Sequence, residues 1–116
     1  MTGKHHDNTE DGELITVEDM SAALTAGTLV YADGANQTFT VDGQRTTYVE
    51  RGSSTQGTWE ILGDGRFSSF WPPDDRAFYI VRWIVHRHAR IGISFTETHN
   101  GNRFDGLYRS RPHDLP

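Results

Sequence analysis

The fold is decided by residues 76–109, which read RAFYIVRWIVHRHARIGISFTETHNGNRFDGLYR. Three runs of β-branched and aromatic residues are separated here by two short polar segments, HRHA and HNGN. Such runs predict three antiparallel strands, because short connections place consecutive strands side by side. The chain after Gly27 repeats this arrangement at intervals of roughly ten residues.

Eight consecutive strands are predicted from this repeat. The segments between them are rich in turn-forming residues, and the Asp42-Gly43 pair is a strong hairpin signal. The predicted strands span 28–32, 37–41, 45–51, 58–62, 66–71, 76–85, 90–98 and 103–109, with residues 52–57 as a loop. We expect a mainly β fold, an eight-stranded antiparallel up-and-down barrel, because closure removes exposed edge strands. A half-open barrel and a sandwich are the alternatives.

One short helix is predicted before the strands. Thr16 is a suitable N-cap for a helix over residues 16–26, with Asp19 three residues later and the apolar side chains on one face. We expect this helix to cap one mouth of the barrel. Residues 1–14 are predicted to be a disordered acidic leader, 15–111 the single domain and 112–116 a tail.

Charge and composition exclude several classes of protein. Residues 1–19 hold one lysine and six acidic residues, whereas residues 20–116 hold ten arginines and ten acidic residues. The domain has no surplus of cations, so no nucleic-acid partner is expected. The chain of 116 residues has no cysteine and no apolar run near the length of a membrane span. We therefore expect a cytoplasmic protein with no membrane partner.

The predicted strand over residues 76–85 is apolar on both faces. The two faces consist of Phe78, Ile80, Arg82 and Ile84, and of Tyr79, Val81, Trp83 and Val85. One face should line the barrel and the other should meet a second surface, since large apolar patches are seldom left in water. We expect a homodimer through the fifth to seventh strands. Cover by the N-terminal helix is the alternative.

Aromatic residues lie almost wholly in the predicted strands. A barrel of eight strands is wide enough either to be filled by side chains or to hold one small ligand. Rings with polar tips are typical of small-molecule sites. The candidate ligand-binding residues are Tyr31, Trp59, Trp71, Tyr79, Trp83 and Phe95. We expect an apolar or aromatic metabolite as the ligand; a structural module with a filled barrel is the alternative.

Three further residues are candidates for chemistry in the same cavity. Tyr48 and Glu50 share one face of their strand about 7 Å apart, where a carboxylate among apolar groups could act as a general acid or base. Both residues facing solvent is the other possibility. Arg82 facing inward would hold a carboxylate of the ligand, and facing outward it would lie in the dimer interface. A cofactor-free lyase, isomerase or cyclase using these residues is therefore the alternative to a binding protein.

Histidine pairs that could act as metal ligands occur at two places. His5 and His6 are adjacent in the leader, and His86 and His88 have the spacing that puts two ligands on one strand face. The next acidic residue after His88 is Glu97, a whole strand away. No metal and no cofactor is therefore predicted.

Two segments carry a resemblance to known barrel families. The meander over residues 28–109, with Gly57-Thr58-Trp59-Glu60-Ile61, resembles the calycin group, which includes lipocalins, fatty-acid-binding proteins and avidins. In lipocalins the Gly-X-Trp signature opens the first strand, whereas here it lies on the fourth. Residues 48–53 and 57–59 are similar to a segment of phenolic acid decarboxylases, lipocalin-like barrels that use tyrosines, an arginine and a glutamate. The resemblance implies a small-molecule cavity inside the barrel.

Overall fold

Eight strands and one α-helix make up residues 9–109, the part of the chain that the structure, a computed structural model, describes. The helix α1 spans Val17–Thr25, and the strands are β1 Leu29–Tyr31, β2 Asn36–Thr40, β3 Arg45–Glu50, β4 Ser53–Ile61, β5 Phe67–Trp71, β6 Asp75–His86, β7 Ala89–Glu97 and β8 Arg103–Tyr108. A short 3₁₀ turn, Asp42–Gln44, joins β2 to β3.

The strands close into a barrel. Each strand pairs antiparallel with the next, and β8 pairs with β1. The closing pairs run from Leu29 opposite Tyr108 to Tyr31 opposite Gly106. Closure is favourable because it gives the backbone groups of β1 and β8 hydrogen-bond partners. The predicted eight-stranded antiparallel up-and-down barrel is confirmed.

The hairpin between β3 and β4 is tighter than the sequence predicts. Arg51 and Gly52 have φ of 52° and 81°, the left-handed conformation of a two-residue hairpin turn. β4 therefore begins at Ser53, opposite Glu50, and residues 53–57, predicted as a loop, are strand. The sequence does not predict this part of the strand, because its residues are polar. The first four of them are exposed and do not pack in the core.

The helix lies at one end of the barrel. The side chain of Thr16 accepts a hydrogen bond of 3.3 Å from the backbone N–H of Asp19, so the predicted N-cap is confirmed. Met20, Ala23 and Leu24 are buried in the barrel core, and the phenol of Tyr108 on β8 donates a 2.6 Å hydrogen bond to the Ala23 carbonyl. This end of the barrel is capped by α1, as predicted.

Residues 9–15 run beside β6, which differs from the predicted leader ending at residue 14. The backbone N–H of Gly12 donates to the Trp83 carbonyl at 2.9 Å, and that of Trp83 donates to the Glu13 carbonyl at 2.8 Å. β5 pairs with β6 only as far as Tyr79, so the rest of that β6 edge needs partners, which this segment supplies. Residues 1–8, including the His5 and His6 pair, and the tail 112–116 lie outside the described residues.

The half of the barrel next to α1 is filled by side chains. Met20, Leu24, Leu29 and Ile93 are fully buried there. A layer of aromatic rings follows along the barrel axis: Phe39, Trp59, Phe67 and Phe95. Beyond this layer the barrel is open. Within residues 9–109, no helix is long and apolar enough to cross a bilayer.

Candidate functional site

A cavity of about 740 Å³ occupies the half of the barrel opposite α1. Phe67 and Phe95 form its floor, and its walls carry further rings: Tyr31, Tyr48, Trp71 and Tyr79. This volume falls within the range of small-molecule sites, roughly 300–1,000 Å³, and such sites are typically apolar with a few placed polar groups. We refer to it as the barrel cavity.

The alternation of the strands places these rings inside. Successive side chains of a strand point to opposite faces, so Phe67 and Trp71 share the inner face of β5. Tyr79 on β6 lies directly opposite Phe67 in the register and therefore faces inward too. The Tyr48 ring contacts that of Trp71 edge to face at 6.4 Å and that of Tyr31 at 6.1 Å. The wall is thus a continuous aromatic surface.

A buried hydrogen-bonded chain lies at one side of the barrel cavity. The Tyr31 phenol donates to Gln37 Oε1 at 2.7 Å, and Gln37 Nε2 donates to the Thr46 hydroxyl at 2.8 Å. The Thr46 hydroxyl donates in turn to the Thr38 carbonyl at 3.0 Å. Burial raises the pKa of Tyr31 well above its usual value. Tyr31 is therefore a neutral hydrogen-bond donor at physiological pH.

Ser69 adds a polar group to the cavity wall. The residue is 3% exposed, and its hydroxyl lies close to the Tyr79 phenol. A hydroxyl has one donor and two acceptor sites, so Ser69 keeps the capacity to bond a water or a ligand in the cavity. Tyr79 lies nearby, and burial raises the pKa of its phenol, which the Ser69 hydroxyl partly opposes.

The rim of the barrel cavity is acidic. Asp33, Asp75 and Asp105 line it together with Arg103. The Arg103 Nε donates to the Asp105 carboxylate at 2.7 Å, so these two charges are paired. The pKa of Tyr48 is raised, first by burial and then by the negative charges of Asp33 and Glu50.

The structure brings together most of the predicted ligand-binding residues. Tyr31, Trp71, Tyr79 and Phe95 line the barrel cavity, as does Tyr48. Trp59 does not line it. Its indole is buried against the ends of β2 and β3, where the N–H donates to the Thr40 and Arg45 carbonyls, both at 3.0 Å.

Trp83 also lies outside the barrel cavity. It is buried near α1, with the Arg90 guanidinium 4.2 Å above its ring. Trp59 and Trp83 face inward as expected, but they lie further along their strands, in the filled half. The sequence predicts that Trp59 and Trp83 contact the ligand, but in the structure neither lines the barrel cavity.

The predicted acid–base residues are not assembled inside the cavity. Glu50 is exposed at the end of β3 and is not among the residues that line the cavity. Arg82 faces the outside of the barrel, because the neighbouring Val81 and Trp83 take the inner face of β6. Its guanidinium donates to the Gly12 carbonyl at 3.1 Å. The inward alternative for Arg82 is therefore wrong, and it has no contact with a ligand in the barrel cavity.

Several cavity residues escape sequence reasoning. Ser69 could have been predicted, because it lies between Phe67 and Trp71 at every second position of β5 and therefore shares their inner face. Asp33 stands at a turn, where the pattern of alternation does not say which way a side chain points. Asp75 is the first residue of β6 and shares a face with Tyr79, but the strand predicted from the sequence begins at Arg76 and leaves Asp75 in the preceding turn. Among the described residues, no three His, Asp or Glu side chains form a metal-binding cluster.

Gly57, the first residue of the Gly-Thr-Trp segment on β4, lies where a side chain would not fit. A Cβ atom at this position would come within 2.5 Å of the Phe70 carbonyl and 2.7 Å of Trp71 Cε3. The missing side chain lets the Trp71 indole lie flat against β4. Gly57 thereby shapes one wall of the barrel cavity. The Trp59 indole N–H joins the end of β2 to the start of β3, because it donates to the carbonyls of Thr40 and Arg45.

No protein-family model, no curated protein and no solved structure matches this chain, so the geometry of the barrel cavity itself has to carry the functional assignment.

Proposed function

We propose that this protein binds a small apolar or aromatic molecule in the barrel cavity. The observation that carries the proposal is a cavity of about 740 Å³ walled by aromatic rings, with the Ser69 hydroxyl on its wall. A barrel with a purely structural role would be filled by side chains, since protein interiors are close-packed. The resemblance to calycin barrels supports the same function, and the absence of cysteine supports a cytoplasmic location.

The predicted carboxylate on the ligand is not part of this proposal. That prediction depended on Arg82, whose guanidinium is engaged outside the barrel with Gly12. The cofactor-free enzyme is less favoured for a related reason, because a general acid or base has to reach the reacting atoms. Tyr48 meets this condition, whereas Glu50 is exposed outside the cavity.

A pair of variants on β4 tests the binding function. Thr55 lines the barrel cavity, and Thr58, three residues later, is exposed on the opposite face of the strand. Thr55→Phe would fill the cavity from an exposed position that tolerates the change, and Thr58→Phe adds the same ring outside. The probe is 2-(2-naphthyl)ethanol, followed by titration calorimetry and by the melting temperature.

We expect the natural chain and Thr58→Phe to bind the probe and to melt several degrees higher with it, because binding to the native state stabilises that state. Thr55→Phe should melt normally without the probe and bind it at least about tenfold more weakly, because the added ring occupies the cavity. Equal binding of the probe by both variants, or failure of the natural chain to bind both this alcohol and its amine analogue, 2-(2-naphthyl)ethylamine, would refute the proposed function.

The homodimer through β5, β6 and β7 remains a proposal. Its support is the outer face of β6, where the apolar side chain of Ile80 is 36% exposed. α1 does not cover this face, because its apolar side chains enter the barrel end. Light scattering should give twice the chain mass, and Ile80→Glu should give the single mass.

A further inference from the structure

We infer that the ligand of the barrel cavity is an organic cation, an aromatic or other apolar body that carries an ammonium group. The ring body would lie on the aromatic walls, and the ammonium would lie at the rim, where Asp33 and Asp75 are located. This inference rests on the proposed function and adds the charge of the ligand to it.

The charged side chains of the cavity favour a cation. Asp33, Asp75 and Asp105 line the rim, and Arg103 is the single basic residue among the described lining residues. Because Arg103 is already paired with Asp105 at 2.7 Å, Asp33 and Asp75 are left without a cationic partner among the described salt bridges. An anionic ligand would meet repulsion here, whereas an ammonium would be attracted.

Asp75 lies beside an aromatic ring, and Asp33 is held in position by its turn. Asp75 lies directly opposite Trp71 in the β5–β6 register, so the carboxylate and the indole start from adjacent backbone positions. Asp33 follows β1 by two residues and is fixed by a 3.0 Å hydrogen bond from the Ala35 N–H. A cation beside Asp75 gains both ion pairing with the carboxylate and attraction to the face of the Trp71 ring.

Two rings of the cavity wall are close enough to acidic residues to be influenced by their charges. The charges of Asp33 and Glu50 contribute to the raised pKa of Tyr48, after burial. The charges of Glu97 and Asp75 contribute in the same direction to that of Tyr79. Rings on two sides of the barrel cavity are therefore under the influence of acidic residues at its rim.

The other arginines of this part of the barrel do not line the cavity. Arg51 stands in the β3–β4 turn next to the exposed Glu50. Arg76 lies over the Phe70 ring at 5.0 Å and donates to the Ser68 hydroxyl at 2.9 Å. Arg82 is bound to Gly12. None of these three arginines is among the cavity residues, so none is in direct contact with a ligand there.

Three compounds with one ring system test this inference. They are 2-(2-naphthyl)ethylamine, which is cationic, 2-(2-naphthyl)ethanol, which is neutral, and 3-(2-naphthyl)propionate, which is anionic. By titration calorimetry at low salt, we expect the amine to bind about tenfold more tightly than the alcohol, and the propionate to bind most weakly. Raising the ionic strength should weaken binding of the amine and leave that of the alcohol unchanged.

Two variants locate the charge effect, and a third serves as the control. Asp75→Asn and Asp33→Asn should each weaken amine binding by about threefold or more and leave alcohol binding unchanged. Asn at position 33 keeps an oxygen for the Ala35 N–H, so the turn is preserved. Asp42→Asn removes the same charge at the helix end of the barrel and should have no effect on either compound.

The outcomes separate the two proposals. Binding of the alcohol as tight as that of the amine, or an amine affinity unchanged in both Asp33→Asn and Asp75→Asn, would overturn the inference while leaving a ligand cavity in place. Failure of all three compounds to bind would overturn the proposed function itself. Should one of the two rim variants fold poorly, the other and the salt dependence still decide the matter.

Discussion

The phenol of Tyr31 donates a 2.7 Å hydrogen bond to Gln37 Oε1, and both groups lie at the wall of the barrel cavity. Gln37 is 8% exposed, and its amide nitrogen is bonded to Thr46, which is 1% exposed. Since the amide oxygen is buried, it depends on the Tyr31 hydroxyl for its partner. The pair therefore fixes the position of one cavity ring.

We expect Tyr31→Phe to lower the free energy of unfolding by about 1–3 kcal/mol, because it leaves the Gln37 oxygen buried without a donor. Tyr48→Phe is the matched control, since the Tyr48 phenol has no hydrogen bond to another described residue and should change stability by less than about 0.5 kcal/mol. Urea unfolding measures both. Equal effects of the two variants would contradict the role given to the Tyr31 bond.

Gly57→Ala should destabilise the barrel and displace Trp71. The added methyl group would meet the Phe70 carbonyl at 2.5 Å, and a backbone atom cannot move away cheaply. Overpacking of this kind costs about 1–3 kcal/mol. Gly63→Ala, where a Cβ meets nothing within 4 Å, is the control and should be nearly neutral. Thermal unfolding and Trp71 fluorescence check the prediction, which a neutral Gly57→Ala would contradict.

The segment before α1 should contribute to stability as part of the barrel. Ile15 is 3% exposed, and its N–H donates to the Val81 carbonyl at 3.1 Å. Ile15→Ala should cost about 2–4 kcal/mol through loss of buried apolar contacts. Val17, two residues later, is 41% exposed, and Val17→Ala should stay within about 0.5 kcal/mol. Similar losses in both variants would show that this segment is not anchored as described.

Much of the fold follows from local patterns in the sequence. Turn residues at regular intervals fix the number and order of the strands, and Thr16 with Asp19 marks the start of the helix. The first half of β4 was not predicted from the sequence, because Ser53 and its neighbours are polar and exposed. The pairing of Gly12 with β6 was not predicted either, because it depends on a strand edge that exists only in the folded barrel.

The site is less accessible to sequence reasoning, because alternation reveals the face of a residue and not its depth in the barrel. Trp71 and Trp59 both face inward, yet one lines the cavity and the other belongs to the packed layer. Depth depends on which barrel end α1 occupies, a tertiary property. The direction of Arg82 was likewise undecidable while both faces of β6 were apolar.

Alkaline pH should destabilise the protein through its buried tyrosines. Burial raises the pKa of Tyr108 to about 12, from an ordinary value of 10.0. Between these values the folded state binds more protons than the unfolded state, so the free energy of unfolding falls as pH rises. Below about pH 9 this contribution is constant.

Urea unfolding at several pH values checks the effect of the tyrosines. Tyr108→Phe should show a shallower loss of stability above pH 10 than the natural chain, because one of the linked groups is gone. The variant also loses the hydrogen bond to the Ala23 carbonyl, so its stability at pH 7 should be lower by about 1 kcal/mol. An identical alkaline slope in the two proteins would contradict the assignment.

The three tryptophans allow the most direct measurement of where a ligand binds. Their indole N–H groups give separate signals in a ¹H–¹⁵N spectrum, and only Trp71 lines the barrel cavity among the three. Addition of 2-(2-naphthyl)ethylamine should shift the Trp71 signal and leave those of Trp59 and Trp83 in place. A shift of Trp59 or Trp83 with Trp71 unmoved, or no shift at saturating amine, would contradict a ligand site at this end of the barrel.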